Sequence, residues 1–550
     1  MDDLQQIAFP HLSQQQLDQL EKRGSRRTYE DGEAIWQAGD ENISCYVVLS
    51  GGIDIWLGRS TEKEHIACHT AGSFSGDIDL LSGKAVVVSA TAHDKTELLE
   101  LSHATLRSIV VQESSISDIL VAAFLARRAI LLDHSDSAQL VVVGPETNAD
   151  THHIREFLLK NQLPHRWMKP EDDQALDGFL TNTVQACDKY PIVIDTQGDV
   201  HPQMTVTAIA ELTGLRRRVT EAVYDAAVIG AGPGGLAATV YAASEGLSVV
   251  TIDRLGPGGQ AGTSSKIENY LGFPTGISGP DLAAAALTQA NKFGALVSVA
   301  HEATGIDCDQ SDGLYRINVQ EGIIQTRSIV VATGARYRHL QFEGSRRFDG
   351  SGVYYGATNM EGQLCSGEDV LLVGGGNSAG QAAVFLSAHA KHVHILIRRK
   401  DLADTMSDYL IRRIDQAANI TLHTETEVQS LHGTDSLQQV TTRHNPTQDE
   451  KTWDISKLFL FLGAEPATDW LQGCIATDQR GFILTGSDLD LPALINSGWQ
   501  TARYPAFLEA SKPGVYAVGD VRSGSTKRVA SAVGEGSMAV QYVHRYLSGL

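Results

Sequence analysis

Apolar and polar positions along the chain change their pattern several times. From residue 28 to 58, short β-like runs alternate with polar breaks. Gly32, Gly39, Gly51 and Gly52 interrupt them at close intervals, as in a small barrel or roll. Helical spacing flanks this region, in LSQQQLDQLEKR before it and ISDILVAAFLARRAILL after it. The pattern then shifts to a buried-strand run, AQLVVVG, and a helix, THHIREFLLKNQ, with Ile154, Phe157 and Leu158 at helical spacing. PHRWMK, a further helical stretch, the hairpin YPIVIDTQGDV and the helix VTAIAELTGL complete a βαβαββα order. Beyond residue 222 the pattern becomes strand–glycine turn–helix–strand, in YDAAVIGAGPGGLAATVYAASEGLSVVTIDR. It recurs in VLLVGGGNSAGQAAVFLSAHAKHVHILIRR. Short apolar strands alternating with helices predict an α/β fold with two Rossmann-like nucleotide-binding domains, preceded by the β-roll and a smaller α/β module.

The first glycine turn reads Gly230-Ala231-Gly232-Pro233-Gly234-Gly235, and the following strand ends at Asp253, 18 residues beyond Gly235. Each part has a physical task. Gly230 permits a tight turn, Gly232 lets main chain approach a pyrophosphate, and Gly235 lets the helix pack on its strand. The helix N-terminus offers N–H donors and a positive dipole end. Asp253 can accept from a ribose hydroxyl. The second turn reads Gly374-Gly375-Gly376-Asn377-Ser378-Ala379, with alanine at the third position. Its second strand ends in Arg398-Arg399 where a ribose-binding acid would otherwise stand. A guanidinium there pairs a 2′-phosphate, which favours NADPH over NADH.

Three further segments carry a family resemblance: GPGGQAGTSSKIENYLGFP, VVATGARYR and PGVYAVGDVRSGSTKRVASAVGEGSMAVQYV. With the two glycine turns they resemble the low-molecular-weight thioredoxin reductases over about residues 222–550. The resemblance implies FAD and NADPH as cofactors. It places Gly258, Gly259, Gln260, Glu268 and Asn269 along the flavin, with Thr333 and Gly334 in the Ala-Thr-Gly turn. Gly519-Asp520 falls at the ribityl-phosphate end, and Arg528-Val529-Ala530 at the flavin ring. The implied layout is a FAD-binding domain in two parts, 222–340 and 467–550, with an NADPH-binding domain, 341–466, inserted between them. The family forms homodimers, which is the expectation here.

In that family a cysteine pair brackets Ala-Thr ahead of the second glycine turn. This chain reads Tyr354-Tyr355-Gly356-Ala357-Thr358-Asn359-Met360-Glu361-Gly362, with Gly356 and Asn359 at the thiol positions. Neither side chain can be oxidised or form a flavin adduct, so no catalytic residue is assigned. The expected activity is NADPH-dependent flavin reduction with electrons passed directly to an acceptor, a small molecule or a redox protein. Three alternatives stand beside it: a flavin-based redox or nucleotide sensor with negligible turnover, a ferredoxin–NADP reductase-like activity, and thioredoxin reduction through another thiol.

Residues 1–136 resemble the cyclic-nucleotide-binding domains in Gly32-Glu33, Gly39-Asp40, Tyr46-Val47-Val48-Leu49-Ser50-Gly51 and Phe74-Ser75-Gly76-Asp77-Ile78-Asp79-Leu80-Leu81. That family holds the cyclic phosphate on a helix N-terminus and an arginine, and the ribose on a glutamate. Here Asp77 replaces the glutamate, Val86 falls near the arginine position, and Lys84 is the nearby cation. The expectation is a degenerate or altered-specificity module. Gly76 and Asp77 are its candidate contacts to a cyclic nucleotide or other small ligand. Residues 137–218 resemble the thioredoxin/glutaredoxin fold, with Tyr190-Pro191 at the family's cis-proline. The turn after the first strand, GPETNADTHH, holds no thiol, so a structural or docking role is expected.

Composition adds limits. The 550 residues carry a net charge of −22, which opposes binding to nucleic acid and anionic lipid. No apolar run reaches the ~18–20 residues of a membrane span. The N-terminal MDDLQQ lacks a signal-peptide pattern, and a soluble cytoplasmic protein is expected. Cysteines stand at 45, 68, 187, 308, 365 and 474, with no C-x-x-C pair. They read as reduced, mostly buried thiols, and no metal site is expected.

Overall fold

The computed structural model describes all residues except 1, 60–61, 78, 84–85, 87, 134–139, 171–188, 196–197, 221, 309–311, 472, 497–498, 500–502 and 550. The expected helix after PHRWMK, Cys187 and Lys84 lie outside the described residues. The chain divides into two compact units. One comprises residues 1–144, 163–218 and 287–300; the other comprises 145–162, 219–286 and 301–550.

In the first unit, the N-terminal roll is an antiparallel sheet. Strands Ser25–Tyr29, Ser89–Leu101, Cys45–Arg59 and Glu62–Thr70 lie in that spatial order, and Ala34–Trp36 also pairs with Ser89–Leu101. One core gathers Val47, Leu99, Leu101, Phe74 and the helix residues Leu106, Ile109 and Phe124. A second gathers Trp36, Tyr46, Val48, Ile53, Val86 and Leu98. The expected leading helix runs Gln14–Glu21. Its start is fixed by a capping box in which Ser13 and Gln16 satisfy each other's main-chain N–H. The α/β module contributes strands His165–Met168, Leu140–Val143, Ile192–Ile194 and Val200–Pro202, in that spatial order. The first two are parallel and the last two antiparallel, as the predicted order requires. The Tyr190–Pro191 bond is cis.

The second unit holds two sheets built on parallel strands, one of them extended by an antiparallel arm, Gly305–Asp307 and Tyr315–Val319. Val223–Ile229 pairs in parallel with Val249–Asp253 on one side and Gly322–Val331 on the other, and Val515–Ala517 pairs beyond Gly322–Val331. The helices Pro233–Ser244 and Val529–Leu547 approach closely because small residues face each other. A Cβ added to Gly536 would meet Ala237 Cβ at 3.0 Å and Ala238 N at 3.0 Å. The inserted sheet has strands Val353–Tyr354, Leu458–Leu460, Asp369–Val373, His392–Leu396 and Ile420–His423 in that order, all parallel. The two connecting segments, Ala335–Tyr337 and Ala464–Pro466, pair antiparallel with each other. Entry to and exit from the inserted domain are thus a single two-stranded ribbon.

One expectation about the cysteines is corrected. Cys308 and Cys474, read from the sequence as reduced, are joined in a disulfide, their Cα atoms 6.2 Å apart. Cys308 follows the outermost strand of the antiparallel arm, Gly305–Asp307, and Cys474 follows the short helix Asp469–Leu471. Their separation of 166 residues hid the pairing, because an insertion carries the chain away and back between them. Cys45 and Cys365 are buried free thiols, as expected. Chain-entropy arguments give a bridge over this span a contribution of about 5 kcal/mol. Cys308→Ser/Cys474→Ser is therefore expected to unfold at lower temperature than the parent, and reductant to lower the parent towards the variant. A parent whose melting and free-thiol count ignore reductant would contradict the bridge.

Candidate functional site

The first glycine turn leaves the strand Val223–Ile229 at Gly230, whose φ of +108° suits glycine and whose N–H donates to the Ile252 carbonyl at 2.8 Å. Gly232 then takes the N-cap position of the helix Pro233–Ser244 with no side chain capping it. A Cβ at Gly232 would have only Gly259 Cα within 4 Å, at 3.9 Å, so the space above the helix end is open. A second helix, Val529–Leu547, also starts without a side-chain cap, at Arg528. The two starts adjoin: a Cβ on Gly234 would lie 3.1 Å from the Ala532 carbonyl oxygen. Two uncapped helix N-termini side by side leave main-chain N–H groups without partners of their own, the donor set that a pyrophosphate needs.

The other expected flavin contacts gather around this turn. Asp253 accepts from Ala231 N at 2.8 Å and from Leu255 N and Gly256 N at 2.9 Å each, so its carboxylate also shapes the loop. The Gly259 segment is tied in through Gly258, whose N–H donates to the Ala231 carbonyl at 2.8 Å. The Gln260 amide donates to the Ala335 carbonyl, and Thr333 Oγ1 donates to the Ala467 carbonyl at 2.9 Å. Ala467 N in turn donates to Gly334 O. These three residues thus brace the base of the ribbon that carries the inserted domain. Gly519 N donates to the buried Glu535 at 2.6 Å, and Glu535 also receives Arg522 at 2.5 Å. Burial raises the Asp520 carboxyl above its usual range. Asn269 is exposed.

The second turn repeats the geometry. Gly374 has a φ of +148°, and Gly376 caps the helix Asn377–Ser387 with no side-chain bond and no atom within 4 Å of an added Cβ. Ala379 is buried against Gly374, its Cβ 3.2 Å from the place of an added Cβ there. Asn377 Oδ1 accepts from Ser407 N at 2.7 Å. Ser378 bonds the side chain of Tyr337, a ribbon residue that sequence reasoning did not single out. Arg398 and Arg399 are exposed past the end of the strand His392–Leu396. Arg399 lies 3.8 Å from Asp404. A further link was also missed: Glu268 pairs with Arg413 of the helix Asp408–Gln416 at 2.6 and 3.2 Å, and this pair holds the Glu268 carboxyl below its usual range.

Where the family carries thiols, the chain builds a helix start. Thr358 caps the helix Asn359–Leu364, accepting from Met360 N at 3.2 Å, and Glu361 reaches back to Thr358 N at 2.8 Å. Thr358-Asn359-Met360-Glu361 fits the T-x-x-E capping-box signature, so this feature was legible in the sequence. Glu361 is buried and desolvation raises its carboxyl pKa. His152, from the helix Ala149–Lys160, lies 3.7 Å from it and 5.2 Å from the Tyr354 ring. Lys457 bonds Glu146 at 3.1 Å. The helix Ala149–Lys160 and the loop before it thus pack on the 354–361 segment. A Cβ at Gly356 would stand 3.6 Å from Thr263.

In the N-terminal roll, Asp77 lies 3.4 Å from Arg128, both side chains mostly buried. Arg127 donates to the Gly76 carbonyl at 2.8 Å and lies over the Phe74 ring. Val86, near the expected arginine position, is buried among Trp36 and Tyr46. The acid at the ribose position thus has an internal cation, and an apolar side chain stands near the phosphate position.

A profile for the pyridine nucleotide-disulphide oxidoreductases matches residues 224–536, more than half of the chain. The chain belongs to this family. Its members draw on FAD and NADPH, and the chain is on this footing an NAD(P)H-dependent flavin oxidoreductase. A cyclic nucleotide-binding domain profile matches residues 26–113. Thioredoxin reductase of Ureaplasma parvum is 28% identical over 333 residues, 60% of this chain and 99% of that protein. Thioredoxin reductase of Bacillus subtilis is 29% identical, over 60% and 96%. NADPH-dependent thioredoxin reductase 3 of Arabidopsis thaliana is 30% identical, over 63% and 62%. Among solved structures, Lactococcus lactis thioredoxin reductase in its FR conformation superposes with a TM-score of 0.53 at 26% identity, covering 60% of this chain and all of that one. The T. acidophilum enzyme gives 0.52 at 28% identity, covering 60% and 99%. Among the described residues, no single helix is long and apolar enough to cross a membrane.

Burial pushes the His152 pKa down to about 4 from 6.5. Above pH 6.5 neither the folded nor the unfolded chain protonates it, and its contribution is nil. As pH falls from 6.5 towards 4 the unfolded chain takes up the proton and the folded one does not, so stability is lost, by about 3 kcal/mol at pH 4. His152→Gln is expected to be the less acid-sensitive protein when guanidinium unfolding is compared at pH 7 and pH 4.5. Equal losses in parent and variant would contradict the assignment.

Proposed function

We propose that the chain oxidises NADPH and passes the electrons through FAD straight to an acceptor, without an intervening cysteine pair. The observation that carries this is the stretch 354–362. It keeps the family's place beside the second glycine turn but presents Gly356 and Asn359 in place of thiols. The other sulfurs are poor substitutes. Cys365 is buried and its thiol is pushed up to about 12, where the nucleophilic thiolate is scarce. Cys308 ends a strand three places across the sheet from Val223–Ile229, about 14 Å at ordinary strand spacing.

FAD, when bound, supplies the two-electron relay between a hydride donor and an acceptor. The chain's task is binding and orientation. Gly230, Gly232, Pro233, Gly234 and Gly235 would present the helix N-terminus to the pyrophosphate, and Asp253 would hold the ribose. Val529 and Ala530 add main-chain donors from the second helix. Gly374, Gly376, Asn377, Ser378 and Ala379 do the same for NADPH, and Arg398 and Arg399 meet the 2′-phosphate. Glycine in place of a cysteine at 356 leaves room for a small acceptor such as a quinone. Two electrons leave NADPH as hydride and reach the acceptor with protons from solvent.

The test mixes the purified yellow protein with NADPH in a stopped-flow instrument, then with a quinone, dioxygen, a small disulfide or thioredoxin. Rapid flavin bleaching and reoxidation by a non-thioredoxin acceptor is expected, with turnover kept within about twofold in Cys365→Ser. Turnover with thioredoxin alone, or its loss in that variant, would sink the proposal. Arg398→Glu/Arg399→Glu is expected to raise KM for NADPH roughly 10–100-fold while leaving that for NADH nearly unchanged. An equal change in both would show that the pair does not read the 2′-phosphate.

A further inference from the structure

The N-terminal roll carries a second constellation with no counterpart in the flavin chemistry. Asp54 lies on the strand Cys45–Arg59, with Cys68 directly opposite on Glu62–Thr70. His65 is on that same neighbouring strand, and His93 lies on Ser89–Leu101, on the other side. Both imidazoles reach the Asp54 carboxylate: His65 Nε2 is 2.8 Å from one oxygen and His93 Nδ1 is 2.8 Å from the other. The Cys68 thiol bonds the same carboxylate. The donor atoms of Asp54, Cys68 and His93 all lie within 4.8 Å of one another.

A second observation concerns the space between them. Gly52 sits opposite His93, beside a register shift of its strand, and a Cβ there would stand 3.2 Å from the His69 carbonyl oxygen. A Cβ at this position would stand 3.2 Å from Cys68 Sγ and 3.3 Å from His93 Cβ. Glycine therefore keeps open the gap that the donors surround. The Asp54 side chain is 14% exposed, while His65 and His93 are 44% and 56% exposed, so a solute can enter.

We propose that Asp54, Cys68 and His93 form a binding site for a thiophilic divalent transition-metal ion of the zinc class, with the fourth position left to water. One thiolate, one imidazole and one carboxylate are ligand types that zinc takes, three protein donors plus a water make up its tetrahedral four, and the thiol and imidazole select against magnesium and calcium. At bond lengths of about 2.0–2.3 Å, tetrahedral ligands stand about 3.3–3.8 Å apart, so the donors need to close by about 1 Å. Binding exchanges protons for metal. The thiol proton leaves to solvent, the ring proton that His93 Nδ1 shares with Asp54 leaves to solvent or to the ring's other nitrogen, and the cation takes their place beside Asp54. The site uses no residue of the 74–81 segment where a cyclic nucleotide is expected, so it would operate whether or not such a ligand binds.

The test uses the full-length flavoprotein, stripped with chelator and titrated with zinc chloride by calorimetry, with metal content read by mass spectrometry. One zinc per chain at micromolar affinity or better is expected. Cys68→Ser and Gly52→Val should each weaken binding at least tenfold, with flavin absorption unchanged and the metal-free melting temperature kept. His394→Ala, in a separate histidine cluster, should bind as the parent does. No stoichiometric zinc uptake by the parent, parent-like uptake by Cys68→Ser, or loss of uptake in His394→Ala would each overturn the proposal.

Discussion

The second unit depends on one constraint, the bare helix start. A helix whose first N–H groups are left without a side-chain cap is locally unsatisfied, and burial of such groups is costly unless something accepts from them. Gly232 and Gly376 impose this condition twice, at matching places in the two sheets. Both could have been capped by serine or aspartate at a gain of a few tenths of a kcal/mol. Glycine at both gives up that stabilisation for open space in front of the donors. The rest of the unit arranges itself around these two points. Small residues let Pro233–Ser244 and Val529–Leu547 lie close enough for their starts to adjoin, and a single ribbon joins the two sheets.

The segment 354–364 is built as a packed structural element. Thr358 and Glu361 stabilise a short helix, and Glu361 is buried beside His152. Carboxyl and imidazole are both shifted towards their neutral forms by desolvation. Neutral groups packed at that distance suit a permanent contact better than a surface that opens and closes around a disulfide partner.

Much of this was legible in the residues. The strand–glycine–helix pattern needs only local chemistry, because the φ demand at Gly230 and the phosphate approach at Gly232 are properties of neighbouring residues. The roll and the strands of residues 140–202 were readable for the same reason. Gln260 and Asp253 show the limit of such reading. Both were expected to face the cofactor, and both also spend hydrogen bonds on the loops that frame it. A residue's type and motif position do not reveal which main-chain groups will compete for its side chain.

By itself the sequence determined the presence of two dinucleotide folds and of the cyclic-nucleotide-binding-like roll, since each is written in residues a few positions apart. The tertiary structure alone decided that Cys308 meets Cys474, that Arg413 meets Glu268, that His152 meets Glu361, and that Asp54 gathers two histidines and a thiol. Each of those meetings joins residues from different strands, helices or loops. Strand register and the return of the chain across an insertion set which side chains face one another, and neither is encoded in the spacing of the residues that meet.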